Sequence, residues 1–325
     1  MSSGFRIEKP GLFTTVQDAG RPGYRGLGVP VAGAADRPSL ALANALAGNL
    51  EGTAALELTR LGPTIVALGP IYVALAGAPI EARLEFASGQ TRKLPPSGAT
   101  PLRTGDRLIT GAISSGCRSY LAIHGGIEAP LILGSRSSEQ ALKAGSEFSS
   151  RPAIGPVLHL EPERGHQPFA DPPEIRFISG PDHRAVQHPP LDQQIWTIGR
   201  EWSRMGISLE SVGDLNQGHY PIEPNRTSAP VAPGSIQWTG SRWLLLGVAG
   251  GTMGGYPHVG QVLGTDLDQL AQHPPGQRIR LVRTTVENAR AIDHDNRTRV
   301  LQRCMIIRTK SLSEIRLGEV PERHS

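Results

Sequence analysis

Short apolar segments separated by glycine and proline run through the whole chain. Residues 4–9 alternate as a strand does, and residues 61–80 form an uncharged run that Gly-Pro pairs divide into strand-length pieces. We interpret this run as a buried β-hairpin rather than a membrane span, because no piece reaches spanning length. Further short strands follow up to about residue 125, a pattern typical of a barrel or a sandwich.

Helical spacing is limited to a few places. Leu40, Leu42, Ala43 and Leu46 follow Pro38 and Ser39 at helical intervals, and Gly48-Asn49 supplies a stop, which predicts a short helix from Ser39. A strand is expected from Glu174 to Ile178. Residues 286–303 predict a polar, arginine-rich helix, and residues 310–325 are expected to be frayed or loosely attached.

The two halves of the chain repeat each other in order. Residues 118–126 resemble residues 242–251, and Leu133-Gly134-Ser135 parallels Leu263-Gly264-Thr265. We therefore predict a mainly β fold of two duplicated β-rich domains with a few short helices, and a ligand site in the seam between them. The predicted boundaries are 1–160 for the first domain, 161–173 for a linker, 174–285 for the second domain and 286–325 for a helical tail.

Composition narrows the class of protein. Aromatic residues make up 5% of the 325 residues and the arginines are dispersed, so the net charge of +4 does not indicate a nucleic-acid binder. Cys117 and Cys304 lie far apart and outside any CxxC pair, which argues against a disulfide framework or a metal site and favours a reducing cytoplasm. The N-terminus lacks an apolar signal core, so we expect a cytoplasmic protein away from membranes.

Candidate chemistry is concentrated between residues 11 and 63, where polar side chains lie among glycines; the standard nucleophile, phosphate-loop and metalloprotease motifs are absent. Asp18, Asp36 and Glu57 are candidates for acid, base or orienting groups, and Arg21 and Arg204 for holding a carboxylate or phosphate. The structural alternative is that both aspartates cap turns and Glu57 pairs with an arginine. The residues alone favour neither interpretation.

Two glycine pairs and one histidine are weaker candidates. The backbone amides of Gly125-Gly126 and Gly254-Gly255 are able to form anion-binding nests, although two tight turns are the simpler interpretation. His124 precedes the first pair and is a candidate general acid or base, but a histidine at a strand end is more often a loop residue with satisfied hydrogen bonds.

Several motifs together resemble the allophanate hydrolase subunit 2 family, also called the biotin-dependent carboxyltransferase-like family. They are Val16-Gln17-Asp18-Ala19-Gly20-Arg21-Pro22-Gly23-Tyr24, Gly28-Val29-Pro30-Val31-Ala32-Gly33-Ala34-Ala35-Asp36, Ala43-Asn44-Ala45-Leu46-Ala47-Gly48-Asn49, Ala55-Leu56-Glu57-Leu58-Thr59, Ser203-Arg204-Met205-Gly206 and Gly254-Gly255-Tyr256-Pro257. The resemblance covers about residues 5–290. It implies two tandem cyclophilin-like β-barrels.

The resemblance also implies a function. It suggests the C-subunit of a 5-oxoprolinase, a complex that opens 5-oxoproline to L-glutamate at the expense of ATP, with an allophanate hydrolase subunit 1-like partner and one further protein. Catalytic residues would be Asp18, Arg21, Asp36 and Glu57. Substrate-binding residues would be Gln17, Asn44, Arg204, Gly254, Gly255, Tyr256 and His258. No metal is expected, and no lysine lies in a biotinyl Met-Lys-Met context, so any biotin would be carried by another chain.

Two alternatives follow from the same family. Residues 249–258 read AGGTMGGYPH, where the family usually has an acid, a glutamine and a lysine, and this change favours a regulatory protein that binds and antagonises a small partner subunit. A carboxyltransferase that acts on a urea-like acceptor is the other alternative.

Overall fold

The computed structural model describes residues 3–94, 98–150, 172–184, 191–212 and 226–317, and for residues 310–317 it describes the backbone alone. In these ranges two β-rich halves follow one another along the chain, with three α-helices. The predicted mainly β fold is confirmed. Residues 151–171, which hold nearly all of the predicted linker, lie outside the described ranges, so the predicted domain boundaries stay predictions.

The first half forms two sheets around one core. Its strands are β1 (Gly4–Lys9), β2 (Phe13–Gln17), β3 (Ala55–Thr59), β4 (Thr64–Ala67), β5 (Ile71–Gly77), β6 (Ile80–Glu85), β7 (Thr91–Lys93), β8 (Thr100–Leu102), β9 (Arg107–Ile113), β10 (Arg118–Ile123) and β11 (Glu147–Ser149). One sheet has the order β11-β1-β4-β9-β6-β7, and the other has the order β2-β3-β10-β5-β8. Side chains from both sheets, such as Ile7, Leu58 and Leu108, fill the space between them.

The prediction of a hairpin over residues 61–80 is wrong. β4 pairs with β1 and β9, whereas β5 pairs with β10 and β8, so consecutive strands belong to different sheets. The uncharged run reflects burial between the two sheets, and burial alone does not specify the pairing partner. The conclusion that the run is no membrane helix stands, because it consists of strands.

Helix α1 (Arg37–Leu46) covers the outer face of the second sheet. Its bounds begin two residues before the predicted start, because Asp36 is the N-cap and Pro38 occupies the first turn, where proline needs no hydrogen-bond donor. Ala43, Ala45 and Ala47 are buried, and these small side chains let the helix lie close to β5 and β10.

The second half is a closed barrel. Its strands are β12 (Glu174–Ser179), β13 (Ile195–Trp202), β14 (Gly206–Ser211), β15 (Ala229–Pro230), β16 (Ser235–Trp238), β17 (Trp243–Leu246), β18 (Met253–Gly254), β19 (His258–Val262) and β20 (Arg278–Arg283), and its helix is α2 (Gly264–Leu270). The barrel order is β12-β19-β16-β17-β14-β13-β20, with β15 and β18 as a separate ribbon. In its core the Trp243 ring contacts the rings of both Trp196 and Trp238. The predicted strand at Glu174 is confirmed.

The repeat seen in the sequence is partly a structural repeat. β10 and β17, which begin the two resembling segments, are both interior strands with a neighbour on each side. Leu133 and Leu263 differ, because Leu133 has a positive φ of 50° in a loop while Leu263 is the N-cap of α2. Similar short motifs thus produce a loop in one half and a helix start in the other.

Helix α3 (Val286–Leu317) begins where predicted, and its backbone stays helical through residues 310–317, where frayed or loosely attached chain was expected. How firmly this end is attached stays a prediction, and residues 318–325 lie outside the described ranges. The helix packs on α1 through Cys304 and Ile307. Arg308 donates to the Glu51 carboxylate at 2.8 Å and to the Asn49 carbonyl at 2.6 Å. In the ranges described, no helix has the length and apolar character needed to cross a membrane.

Candidate functional site: a sealed seam and an open cleft

Glu57 lies on β3 with its side chain fully buried where the two halves meet. One carboxylate oxygen accepts a hydrogen bond from Arg204 Nη1 at 2.7 Å. The other accepts from the Tyr120 hydroxyl at 2.7 Å and from the Ala35 backbone N–H at 2.9 Å. Arg118 Nε lies 3.5 Å from the same carboxylate. Donors from the chain itself therefore surround Glu57.

Arg204 lies in the tight turn between β13 and β14 and reaches into the first half. Its Nε and Nη2 form a bidentate pair with Glu139 at 2.7 and 2.9 Å, and Nη2 also donates to the Gly33 carbonyl at 2.5 Å. Together with Glu57, these contacts join one arginine of the second half to three segments of the first. The sequence predicted that Arg204 binds a carboxylate or phosphate of a ligand; in the structure its carboxylate partners are Glu57 and Glu139 of this chain.

The charges of this network are fixed by their neighbours. Burial alone raises the pKa of Glu57, but the attraction of Arg204 and Arg118 and the two neutral donors outweigh it and hold the pKa below its usual value. Burial and the negative charges of Glu57 and Asp36 raise the pKa of Tyr120 well above its ordinary value. The tyrosine hydroxyl thus remains a hydrogen-bond donor while Glu57 stays ionised.

Asp36 serves the seam as a helix cap. Its carboxylate accepts from the Ser39 backbone N–H at 3.0 Å and from the Ser39 hydroxyl at 2.6 Å, and it also accepts from Gln272 Nε2 at 2.6 Å. Gln272 belongs to the second half, and its side-chain oxygen accepts hydrogen bonds from the backbone N–H groups of Cys117 and Arg118 at 3.0 and 2.9 Å. The structural alternative from the sequence, a capping role, describes the contacts of Asp36.

A second ion pair crosses the seam beside this cap. Arg37 Nε and Nη2 bind the two carboxylate oxygens of Asp268 at 2.7 and 2.9 Å. Burial nevertheless raises the pKa of Asp268 to about 6, with Arg37 opposing the rise. This carboxyl therefore changes charge in a pH range where Glu57 does not.

The part of the seam around Glu57 and Arg204 leaves little room for a ligand. A cavity of about 40 Å³ is bordered by Arg118, Trp202 and Arg204, and the Arg118 guanidinium stacks 4.6 Å from the Trp202 ring centre. A space of that size holds about one or two water molecules. Around Arg118 and Arg204 the ion network thus fastens the two halves together, and the cavity beside it is too small for a substrate.

An open cleft of about 290 Å³ lies on the first half, near the lower limit of typical small-molecule sites. Glycines form much of its wall, together with a few apolar groups and two charged residues. The lining residues are Asp18, Gly52, Thr53, Ala54, Gly125, Gly126, Ile127, Leu131, Gly134 and Arg136. The lining includes Asp18, one of the predicted catalytic residues, and Gly125-Gly126, one of the predicted glycine pairs.

Asp18 organises the loop that borders this cleft. One oxygen accepts from the hydroxyls of Ser135 and Ser137, both at 2.6 Å, and from the Gly20 backbone N–H at 2.8 Å. The other accepts from the Arg136 backbone N–H at 2.5 Å. Asp18 thus sets the position of residues 135–137 while its carboxylate borders the cleft.

Arg21 and Gln17 reinforce the same loop. Arg21 Nη2 donates to the Ser137 carbonyl at 2.5 Å, and Gln17 Nε2 donates to the Ser138 carbonyl at 2.8 Å. Gln17 is fully buried, and its Oε1 has no hydrogen-bond partner among the described residues. The predicted group Gln17, Asp18 and Arg21 is therefore brought together, through contacts with one short loop.

Asn44 and Asn49 brace the opposite wall. The buried Asn44 side chain donates to the Thr53 carbonyl at 2.8 Å and accepts from Asn49 Nδ2 at 3.0 Å. Asn49 Oδ1 accepts from the Gly125 N–H at 2.8 Å, so this amide is occupied and the Gly125-Gly126 pair is a tight turn rather than a free nest. His124 Nδ1 contacts the Ala47 carbonyl at 2.5 Å, as expected for a satisfied loop histidine.

The predicted second wall lies elsewhere. Gly254 belongs to the β15–β18 ribbon beside Gln237, and the His258 backbone N–H donates to Asp182 at 2.8 Å. The Tyr256 side chain is exposed. The His258 side chain is partly buried, and this burial lowers its pKa. Within the described residues, no hydrogen bond or ion pair links these groups, or the adjacent Gly255, to Asp18 or Glu57.

Two residues near the predicted ones escaped sequence reasoning. Glu139 completes the Arg204 pair, and Arg136 is a charged residue of the cleft wall. Both lie in a serine-rich turn, Gly134–Gln140, whose composition indicates only a loop. The one signal in the sequence was the similarity of Leu133-Gly134-Ser135 to Leu263-Gly264-Thr265, which showed that the start of this loop is repeated in the second half.

A further cavity of about 410 Å³ lies between the three helices, lined in part by Arg37, Asp268, Asp293 and Arg297. None of the predicted site residues borders it. One wall is α3, which follows the part of the chain that repeats. We therefore take the cleft at Asp18 as the candidate functional site.

Fold and site together define a tandem β-domain protein whose halves are fastened by buried ion pairs. Residues 27–283 match the family described as carboxyltransferase domain, subdomain A and B, and the chain belongs to this family. The match ends before α3 begins.

Named relatives agree with this assignment. The 5-oxoprolinase C-subunit of Escherichia coli is 31% identical over 87% of this chain and 92% of its own length. The crystal structure of K. lactis urea amidolyase has a TM-score of 0.78 at 25% identity, over 92% of this chain and 20% of that one. The crystal structure of TTHA0988 has a TM-score of 0.73 at 29% identity, over 86% and 55%. The chain thus spans nearly all of the first relative and about a fifth and a half of the other two.

Proposed function

We propose that this chain is the C-subunit of a 5-oxoprolinase complex, which opens the ring amide of 5-oxoproline to L-glutamate with hydrolysis of ATP. The similarity to a 5-oxoprolinase C-subunit over nearly the full length of both chains carries the proposal. An allophanate hydrolase subunit 1-like partner and one further protein complete the enzyme, which we place in the cytoplasm.

The cleft at Asp18 is the proposed contribution of this chain to the active site. It is open and of substrate size, whereas the Glu57 carboxylate of the seam is enclosed. Asp18 holds the Ser135–Ser137 loop in place, so we assign it a positioning role. Glu57 and Arg204 fix the second half against the first. Asp36 caps helix α1.

The test is reconstitution of the chain with its partner subunits. We expect glutamate to be released from 5-oxoproline only when ATP and all partners are present. An Asp18→Ala chain that still assembles should lose this activity. Assembly without any ATP-dependent release of glutamate would contradict the proposal.

Carboxyl transfer to a urea-like acceptor is the second candidate, favoured by the structural similarity to urea amidolyase. This candidate needs biotin carried by another chain. The same reconstituted sample, supplied with a carboxybiotin carrier and urea in place of 5-oxoproline and ATP, separates the two functions. Carboxylation of urea, without release of glutamate from 5-oxoproline, would support the carboxyltransferase function.

A further inference from the structure

One charged group in the cleft has donors left to offer. Arg136 Nη1 donates to the Ala129 carbonyl, and its backbone N–H donates to Asp18. Among the described residues, Nε and Nη2 of Arg136 have no partner, and neither is a buried atom. One edge of the guanidinium therefore remains available on a residue that lines the cleft.

The rest of the cleft does not compete for that edge. Asp18 is the other charged residue of the lining, and its four acceptor contacts are made by two hydroxyls and two backbone N–H groups. The remaining walls are glycines, Thr53 and the apolar side chains of Ala54, Ile127 and Leu131. An arginine fork beside small uncharged walls suits a carboxylate attached to a compact neutral body.

The loop that carries Arg136 is held from both halves. Asp18 binds it at Ser135, Arg136 and Ser137. Glu139, three residues after Arg136, is fixed by the bidentate pair with Arg204. A side chain on a loop fixed at both ends loses less conformational freedom when it binds a ligand. The second half thus contributes to the cleft through the loop.

We propose that Arg136 is the anion anchor of the cleft and that the ligand class is a small carboxylate with an uncharged ring or amide body. This proposal rests on the proposed function, since 5-oxoproline has one carboxylate on a neutral ring. Urea has no carboxylate and would gain nothing from the anchor.

The experiment measures binding to the full chain by titration calorimetry, with 5-oxoproline and 2-pyrrolidinone as probes. The two probes share the ring, and only the first has a carboxylate. We expect Arg136→Gln to weaken 5-oxoproline binding by about tenfold to a hundredfold, the range for loss of a charged hydrogen-bonding pair, with 2-pyrrolidinone unchanged. Arg136→Lys should recover part of the loss, because it keeps the charge without the fork.

Arg299→Gln is the matched control, since it removes one positive charge on α3 where Arg299 Nε contacts its own helix at the Asp295 carbonyl. It should bind 5-oxoproline as the unaltered chain does, and thermal unfolding checks that each variant is folded. The proposal is overturned if the unaltered chain fails to bind 5-oxoproline or does not distinguish the two probes, or if Arg136→Gln matches Arg299→Gln. Arg136-dependent binding without 5-oxoprolinase activity in the reconstituted complex would reject the proposed function and keep the anchor.

Discussion

The seam and the cleft both combine a buried carboxylate with an arginine, yet they differ in what remains unpaired. At the seam, Glu57 and Arg204 bind each other and their neighbours, beside a cavity of about 40 Å³. In the cleft of about 290 Å³, Asp18 binds the backbone of Arg136, and one edge of the Arg136 guanidinium has no partner among the described residues. The residue types are the same, and the extent of pairing within the chain distinguishes the structural site from the proposed binding site.

Removing the seam carboxylate should have the largest effect. Glu57→Ala leaves Arg204 and Arg118 buried without their shared counter-charge, which typically costs about 3–5 kcal/mol in the free energy of unfolding. Urea denaturation of the unaltered chain and of the variant measures this difference in the free energy of unfolding. Glu201→Ala, which removes a carboxylate from an exposed pair with Arg242, should cost far less, because solvent screens that pair. Equal costs for the two variants would contradict the contrast between sealed and exposed pairs.

Asp268 should make the seam sensitive to pH. In the folded chain the Asp268 carboxyl keeps its proton up to about pH 6, whereas an ordinary aspartate loses its proton near pH 3.8. The protonated carboxyl therefore adds stability at low pH, and this stability is lost as the pH rises through 6. Two pKa units correspond to about 3 kcal/mol. Relative to Asp268→Asn, the unaltered chain should therefore lose about that much between pH 4 and pH 7 in thermal or urea unfolding. Parallel curves for the two proteins would show that Asp268 titrates normally.

Asp18→Asn should affect the cleft more than the fold. The amide nitrogen cannot accept, so one of the two oxygens that hold residues 135–137 is lost, at a cost of about 2–3 kcal/mol. We expect 5-oxoproline binding to fall by about tenfold or more as the Arg136 loop loses its position. Ser137→Ala removes only one donor and should have a smaller effect on both measurements. Full binding by Asp18→Asn would exclude the positioning role.

Glu139→Gln should give the smallest change in stability, about 1 kcal/mol or less, because this carboxylate is 43% exposed. If the second half stabilises the cleft through Arg204, the variant should nevertheless weaken 5-oxoproline binding by a few fold. Calorimetry on the same sample as the unfolding measurement compares both effects. A change in stability with no change in binding would separate the seam from the cleft.

Sequence reasoning identified the right chemistry at several of these residues, and distance along the chain limited it elsewhere. Asp36 followed by Pro38 and Ser39 has the local signature of a helix start, so its capping role was foreseeable. The pairing of Glu57 with an arginine was foreseeable as an alternative. Its partner Arg204 lies 147 residues away, and only the packing of the two halves decides that contact.

The second half shows where the repeat misled. A duplicated order suggested that residues 254–258 face the first half, but a repeat does not specify how the two units are rotated against each other. Arg136 was missed for another reason. Its neighbours are serines and glycines, and its role depends on an unoccupied guanidinium edge, which has no trace in the sequence.

Gln272 has a consequence for how the chain folds. Its side chain, supplied by the second half, uses all four of its bonds to satisfy Cys117, Arg118 and Asp36 of the first. In the closed chain, Gln272→Ala would leave the buried backbone N–H groups of Cys117 and Arg118 without this acceptor, and each such group costs about 1–3 kcal/mol. The two β-units should accordingly melt in one cooperative transition, and neither should persist as an independent folding unit after the other has opened.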